Sequence, residues 1–214
     1  MKNLEFSRRD ILVGCTACAA SSQAIGFPPG KLALCRFSLT DGWSNYAPSQ
    51  YITHKAKAND KSGVPQVVER IKSELSFQNN IDVMIANDEN NAMATVAGGK
   101  RLLIIDVGFL SKMNGIAGTN WGAIQIIAHE VGHHIAGFSS DNHRAELNAD
   151  YWSGQALQRL GSSEAVSTKA IMAVGTEEDT ESHPNKYRRS DMILAGWKDA
   201  KNNKIDYTKC DYCS

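Results

Sequence analysis

Residues 126–138, with the sequence IIAHEVGHHIAGF, are apolar except for one glutamate and three histidines. The apolar side chains predict a helix inside the core, where an ionisable group is costly unless it is paired or bound to a metal. His129, Glu130 and His133 form the pattern HExxH. Because residues four apart on a helix lie on one face, both imidazoles can reach the same metal ion. The chain is therefore constrained to a fold that buries a metal site.

The donor groups of this pattern favour zinc, which binds two neutral imidazoles and a carboxylate and leaves a fourth position to water. Glu130 lies one step round the helix from His129, where its carboxylate can contact that water without entering the coordination shell. A helix whose histidines and glutamate face solvent is the simpler alternative. The apolar residues around the pattern count against it, and Gly132 allows another segment to approach closely.

The third ligand has to come from another segment. Glu146 lies in HRAELNADYWSGQAL, which has helical spacing, and Asp150 follows four residues later on the same face. We expect Glu146 to bind zinc and Asp150 to accept the free ring N–H of a ligand histidine. A solvated acidic helix face is the alternative, although apolar and aromatic neighbours disfavour it. His143 fits no ligand spacing, and His134 points about 100° away from its neighbour, towards another hydrogen-bond partner.

Three motifs, HEVGHH, ELNADYWSG and SHPNKYRRSDMILAGW, occur in an order that resembles the minimal gluzincins. These are zinc endopeptidases related to the prenyl-endopeptidase and heat-shock membrane proteases, but without transmembrane helices. The resemblance covers about residues 66–197, and His183 and Arg189 match the HPxxxxR element near its end. In the segment NAMA, Asn91 and Ala92 are similar to the family's edge strand, which binds the substrate backbone.

The resemblance implies a zinc metalloendopeptidase. Zinc would polarise the scissile carbonyl and activate a water molecule, and Glu130 would accept the proton and deliver it to the leaving amine. His183 would donate a hydrogen bond to the developing oxyanion, and Arg189 would support it or the carboxylates around the zinc. Asn91 and Ala92 would pair with an extended peptide by strand addition.

Three other interpretations stay open. The segment GTEED (175–179) matches the GTxxD pattern of aspzincins, in which Asp179 would replace Glu146 as third ligand, but its setting is acidic and hydrophilic. A non-catalytic zinc-binding or chaperone-like module on a peptidase scaffold would keep the ligands and would not require Glu130. The third interpretation is hydrolysis of an amide bond in a substrate that is not a peptide. The strand-like NAMA segment favours peptide substrates instead.

The pattern of elements predicts one α+β domain. PQVVERIKSELSF has helical spacing, IDVMIAN is a short β-rich run, and two strands are expected on either side of a Gly-Gly pair. Thr119 or Asn120 can cap the HExxH helix, and the spacing is helical from Asp141 onward. We expect a single zincin-like domain over residues 66–214, with a small sheet, a long HExxH helix and a helical C-terminal half, preceded by an irregular segment at 25–65.

Residues 1–24 have the features of an export signal. Basic residues near the start precede a short apolar stretch and small residues, and SRRDIL resembles a bacterial twin-arginine signal. We expect the mature chain to be periplasmic or secreted, with lipid attachment at Cys15 as an alternative. In an oxidising compartment, Cys35 could pair with Cys210 or Cys213.

Charge and hydropathy indicate which partners to expect. The chain has 23 Lys and Arg residues and 23 Asp and Glu residues, and basic residues cluster only at the N-terminus and at Arg188 and Arg189. This balance gives no indication of nucleic-acid binding. No apolar run reaches the length of about 20 residues that spans a bilayer. Zinc is the expected cofactor, and a protein or peptide is the expected substrate.

Overall fold

The computed structural model of the protein describes residues 34–38, 52–87, 90–139 and 141–206. Within these residues, the strands come first and most of the helices follow. The strands are β1 (Leu34–Ser38), β2 (Ile52–Lys55), β3 (Ile81–Ala86), β4 (Asn91–Ala97) and β5 (Lys100–Asp106). The helices are α1 (Val64–Glu74), α2 (Val107–Ala117), α3 (Trp121–Ala136), α4 (Asn142–Arg159), α5 (Glu164–Ser167), α6 (Lys169–Val174) and α7 (Lys186–Lys201).

Some of the predicted features lie outside the described residues. They are the export signal at 1–24, which includes Cys15, and the cysteines Cys210 and Cys213. These expectations therefore stay predictions. Among the helices of the described ranges, each is too short or too polar to span a bilayer.

The five strands form one mixed sheet in the order β1-β4-β5-β3-β2. β4 and β5 are antiparallel, and Gly98 and Gly99 between them have φ angles of 57° and 74°. Such angles are accessible to glycine because it has no Cβ, so the hairpin predicted at this pair is confirmed. β3 runs parallel to β5. The sheet and the helical second half confirm the predicted α+β class.

The expectation of an irregular segment at residues 25–65 is corrected at two places. β1 pairs antiparallel with β4, and β2 pairs antiparallel with β3, at the two ends of the sheet. β2 lacks the alternation of a half-buried strand, because all of its residues after Ile52 are exposed. The unpaired backbone N–H and C=O groups at the edge of an existing sheet are sufficient to bind another segment as a strand. The local pattern of β2 therefore does not reveal this strand, whereas CRFSLT (35–40), around β1, alternates apolar and polar residues as a strand does.

The two faces of the sheet carry alternate residues of each strand, as the pleat requires. One face joins the main core with α3, through Val83, Ile85, Ala92, Ala94, Leu103 and Ile105. The other face carries a smaller cluster of Met84, Ala86, Met93 and Ile104. The two residues of β4 that are buried in this core, Ala92 and Ala94, are alanines, so the HExxH helix can lie close to the backbone of this strand.

The HExxH helix α3 lies at the centre of the fold, and all of its residues after Trp121 are buried. Its first turn is capped from α2, where the side-chain oxygen of Asn114 accepts the Ala123 N–H at 2.7 Å. Neither predicted cap performs this role well. Asn120 makes no side-chain capping bond, and Thr119 accepts the Trp121 N–H at a long 3.4 Å. The cap is a contact between two helices, which local capping rules do not find.

Glycines allow α3, α4 and α7 to approach one another closely. A Cβ at Gly154 would lie 2.0 Å from a backbone oxygen of α7, and one at Gly196 would lie 1.9 Å from a backbone oxygen of α4. A Cβ at Gly132, inside the HExxH pattern, would lie 2.6 Å from a backbone oxygen of α4. These close approaches bring the polar residues of α4 and α7 to the histidines of α3.

Gly196→Ala tests this helix contact. We expect the substitution to lower the free energy of unfolding by about 3 kcal/mol, because both backbones have to move apart. Gly115→Ala in α2 is the control, since a Cβ there meets no atom of the described residues within 4 Å and alanine favours the helix by up to about 1 kcal/mol. Urea unfolding measures both variants. Wild-type stability in Gly196→Ala would mean that the helices are not in contact.

Candidate metal centre

Three helices contribute the predicted site residues. α3 carries His129 and His133, α4 carries Glu146 and Asp150, and α7 carries Arg189. All five side chains are buried. Each pair on α3 and α4 is spaced by four residues, so both members face the neighbouring helix. The structure therefore brings together the residues that the spacing indicated.

The donor atoms of three side chains converge on one point. The Nε2 atoms of His129 and His133 are 3.0 Å apart. One oxygen of Glu146 lies 3.2 Å from Nε2 of His129, and the other lies 3.4 Å from Nε2 of His133. Tetrahedral zinc with ligand distances of about 2.0–2.1 Å requires donors about 3.3 Å apart. The separations match that value, and this buried cluster could hold a metal ion.

Asp150 and Arg189 surround the cluster. The Asp150 carboxylate accepts the Nδ1–H of His129 at 2.9 Å, which leaves Nε2 of that ring directed at the donor cluster. The Arg189 guanidinium donates to both Asp150 oxygens, at 2.7 and 3.0 Å, and lies 3.2 Å from Glu146. Of the two roles that the resemblance allows for Arg189, its contacts favour support of the carboxylates.

The electrostatics of the cluster favour a cation. Burial opposes ionisation of Glu146 and Asp150, but Arg189 and His129 outweigh it and hold the pKa of both carboxyls below the usual value. Burial also lowers the pKa of His129, yet the two carboxylates raise it to about 9 against the effect of Arg189. The two ionised carboxylates therefore stabilise a positive charge at the histidines. Either a proton or a divalent cation can supply that charge.

Glu130 is fully buried beside the donor atoms and close to β4. Burial raises its pKa to about 8, with help from the charge of Glu146 and against the effects of His129 and the Ala94 backbone N–H. No described residue makes a well-formed hydrogen bond to either carboxylate oxygen. A carboxyl with a pKa near neutrality and uncommitted oxygens can take up and release a proton at pH 7.

His183 reaches the cluster from the loop before α7. Its Nε2 lies 3.7 Å from a Glu146 oxygen, and its side chain is 19% exposed, so it lies on the open side of the site. Ser182 Oγ lies 2.7 Å from Nδ1 of the ring, and Thr180 Oγ1 accepts the His183 N–H at 3.0 Å. His143, 2.7 Å from the Thr180 carbonyl oxygen, holds the loop to α4. No motif indicated these three supporting residues.

Asp179 lies outside the buried cluster. It is exposed, and one of its oxygens accepts the Asn185 N–H at 2.7 Å while the other pairs with Arg188. These contacts fold the loop before α7 onto the start of that helix. The geometry therefore assigns the third donor position to Glu146 and excludes Asp179, so the aspzincin interpretation is not compatible with this fold.

Asn91 and Ala92 begin β4, and both are fully buried. The resemblance implies that they belong to an edge strand, but β1 pairs with this strand and places Ser38 opposite Asn91 and Phe37 opposite Ala92. β4 is therefore an inner strand, paired on its other side with β5. The correction follows from β1, a strand within the segment expected to be irregular. Pairing of these residues with an external peptide requires the displacement of β1.

His134 faces away from the donor atoms, as expected from its position on the helix. Its Nε2 donates to the Leu102 carbonyl oxygen of β5 at 3.0 Å, so α3 is tied to the sheet. Because a carbonyl can only accept, Nε2 carries the proton of the neutral ring. Burial lowers the pKa of His134 to about 3, against a smaller opposing effect of this hydrogen bond.

His134 is expected to make the fold sensitive to acid. Its pKa is 6.5 when unperturbed and about 3 in the fold, so between these values the unfolded chain binds one more proton. Stability should therefore fall as the pH drops below 6.5, by about 1.4 kcal/mol per pH unit from this group. His134→Gln keeps an N–H donor and does not titrate, so it should flatten this part of the curve in urea unfolding. An unchanged slope would assign the acid sensitivity to other groups.

No family model, curated protein or solved structure matches this chain.

Proposed function

We propose that this protein is a zinc-dependent endopeptidase with a zincin-like fold. The observation that carries the proposal is the set of separations of 3.0 to 3.4 Å among the donor atoms of His129, His133 and Glu146. Beside these atoms lies Glu130, buried and without a well-formed hydrogen bond to any described residue. The export signal predicted at residues 1–24 supports action of the protein in the periplasm or outside the cell.

The donor set favours zinc over other divalent ions. Magnesium and calcium prefer sites made of oxygen ligands, whereas two imidazoles and a carboxylate suit zinc. Three protein ligands leave one position open, which is typical of catalytic rather than structural zinc. The bond from His129 to Asp150 is the kind of outer contact that orients a metal-binding imidazole and fixes its tautomer.

The side chains around the donor atoms have the properties that peptide hydrolysis requires. Zinc, when bound, supplies Lewis-acid activation of the carbonyl and of water. Glu130 accepts the proton of the attacking water and later delivers it to the leaving amine, and its pKa of about 8 suits both transfers. Ser182 can donate its hydroxyl to Nδ1 of His183, which leaves a proton on Nε2 for a hydrogen bond to the developing oxyanion.

A non-catalytic zinc-binding module is the second candidate. The observation that favours it is the pairing of β1 with β4, which covers the strand nearest to Glu130. This candidate has no use for Glu130, because binding of the metal needs only the three donor side chains. A buried carboxyl whose oxygens make no well-formed hydrogen bond to a described residue is costly, and proton transfer during catalysis gives it a use.

The test is cleavage of an unfolded protein and of a library of quenched peptides by the zinc-loaded full chain. We expect cleavage that a zinc chelator abolishes and that added zinc restores. Asp179→Ala should retain zinc, since Asp179 lies outside the cluster. Glu164→Gln, at an exposed carboxylate of α5, is the control that should retain both zinc and activity. Tight zinc binding without cleavage, by this protein or by the β1 variants described below, would favour the non-catalytic module.

A further inference from the structure

β1 occupies the side of β4 that an incoming strand would need. The register runs from Leu34 opposite Thr95 to Ser38 opposite Asn91, over the full length of β1. The other side of β4 is paired with β5. Because a strand offers backbone hydrogen bonds on two sides only, an extended peptide can add to β4 only in the place of β1.

β1 also passes beside the proposed site of chemistry. Cα atoms of β1 lie within 8 Å of Cα atoms of α3. Cys35 lies opposite Ala94 in the register of the two strands. Ala94 is the residue of β4 whose backbone N–H approaches the Glu130 carboxylate. Neighbouring strands are about 4.8 Å apart. The backbone of β1 therefore lies one strand spacing from the residue of β4 that is next to Glu130.

The pairing of the other four strands does not pass through β1. β1 is the terminal strand of the sheet, and β4, β5, β3 and β2 stay paired in the same order without it. Its departure would uncover the N–H and C=O groups of β4, together with Asn91. The side-chain amide nitrogen of Asn91 is buried and has no hydrogen-bond partner among the described residues. It is an additional donor for the backbone of a polypeptide bound there.

We propose that residues 34–38 are an intramolecular inhibitor: β1 holds the peptide-binding side of β4, and an extended substrate binds there antiparallel once β1 has left. The inhibitory effect rests on the proposed peptidase function, whereas the binding of a peptide at β4 does not. A tethered strand acts at an effective concentration in the millimolar range for short flexible linkers, so it outcompetes dilute peptides. Release of β1 should therefore raise activity about tenfold or more.

Two proline variants of the full chain test the proposal. Successive N–H groups of an edge strand point alternately towards the neighbouring strand and away from it, so only one of Arg36→Pro and Phe37→Pro removes a hydrogen bond to β4. The other variant is the matched control. Hydrogen exchange of residues 91–97 identifies which variant frees β4. A fluorescent peptide with the sequence of residues 32–40 measures binding, and a quenched peptide measures kcat/KM.

The variant that frees β4 should exchange faster at residues 91–97, bind the fluorescent peptide and gain about tenfold or more in kcat/KM. The control variant should match the wild type. If neither variant changes exchange or peptide binding, or if freeing β4 lowers kcat/KM, then β1 is a fixed part of the sheet and the proposal is wrong. If the variant with a freed β4 binds the peptide but the zinc-loaded protein cleaves nothing, then the proposed peptidase function is wrong. The proposed peptide-binding site at β4 would still be supported.

Wild-type protein provides a second measurement that does not depend on the folding of any variant. The amides of β4 that pair with β1 should exchange through local opening, at a rate that low concentrations of urea do not change. The amides of β5 should exchange more slowly. Exchange of β4 only through global unfolding, at the same rate as β5, would contradict an inhibitor that can leave the sheet.

Discussion

Glu130→Gln is expected to bind one equivalent of zinc with the affinity of the wild type and to lose about a thousandfold in kcat. Glutamine has the shape of glutamate but cannot accept a proton from water. Glu130 is not among the three donors of the cluster, so metal binding should be unaffected. Glutamine also has nearly the same volume as glutamate and places no charge in the core, where burial raises the pKa of Glu130 to about 8. The substitution should therefore preserve stability as well.

Zinc content, urea unfolding and peptide cleavage are measured together for this variant. Glu164→Gln in α5 is the control, because it makes the same chemical change at an exposed position, where the carboxylate pairs with the exposed Lys198. Both variants should keep their zinc and their fold, and only the first should lose activity. Wild-type cleavage by Glu130→Gln would remove Glu130 from the mechanism, and loss of zinc would make it a ligand.

Glu146→Gln is expected to have two large effects. Loss of the anionic donor should weaken zinc binding by at least 100-fold, since two imidazoles alone hold the ion poorly. It also leaves Arg189 and His129 with less buried negative charge, and breaking a buried ion pair costs about 3–5 kcal/mol. Zinc titration and urea unfolding in the presence of a chelator separate the two effects.

Glu146→Asp serves as the graded control for this position. It keeps the charge and withdraws the carboxylate by one methylene, so it should restore most of the stability and only part of the zinc affinity. If Glu146→Gln bound zinc as tightly as the wild type, another residue would be the third donor. Asp179→Ala, combined with Glu146→Gln, would then show whether the loop before α7 supplies it.

The parts of the site that follow helical periodicity could be predicted from the sequence. His129 and His133 share a face because they are four residues apart, and the same spacing places Asp150 with Glu146. The hairpin between β4 and β5 followed from two glycines, whose positive φ angles permit a tight connection. In each case a short stretch of chain determines the geometry, so the pattern contains the necessary information.

The parts that depend on distant contacts could not be predicted. β2 forms because β3 presents unpaired backbone groups, and no alternation in its own residues indicates it. CRFSLT (35–40), which includes most of β1, does alternate apolar and polar residues as a strand does, but the strand with which it pairs could not be predicted. Asn114 caps α3 from another helix, and Ser182 and Thr180 orient His183 within a loop that has no regular pattern. The most consequential of these omissions is β1, since it covers the strand beside Glu130.

The proposed site holds one zinc ion between His129, His133 and Glu146. Zinc titration of the full chain, followed by X-ray absorption at the zinc edge, measures both the number of ions and their ligands. We expect one zinc per chain, with only nitrogen and oxygen neighbours at about 2.0–2.1 Å and the outer-shell scattering of two imidazoles. If the chain bound no zinc, or if the zinc ion had sulfur neighbours or fewer than two imidazoles, the proposed metal site would be wrong.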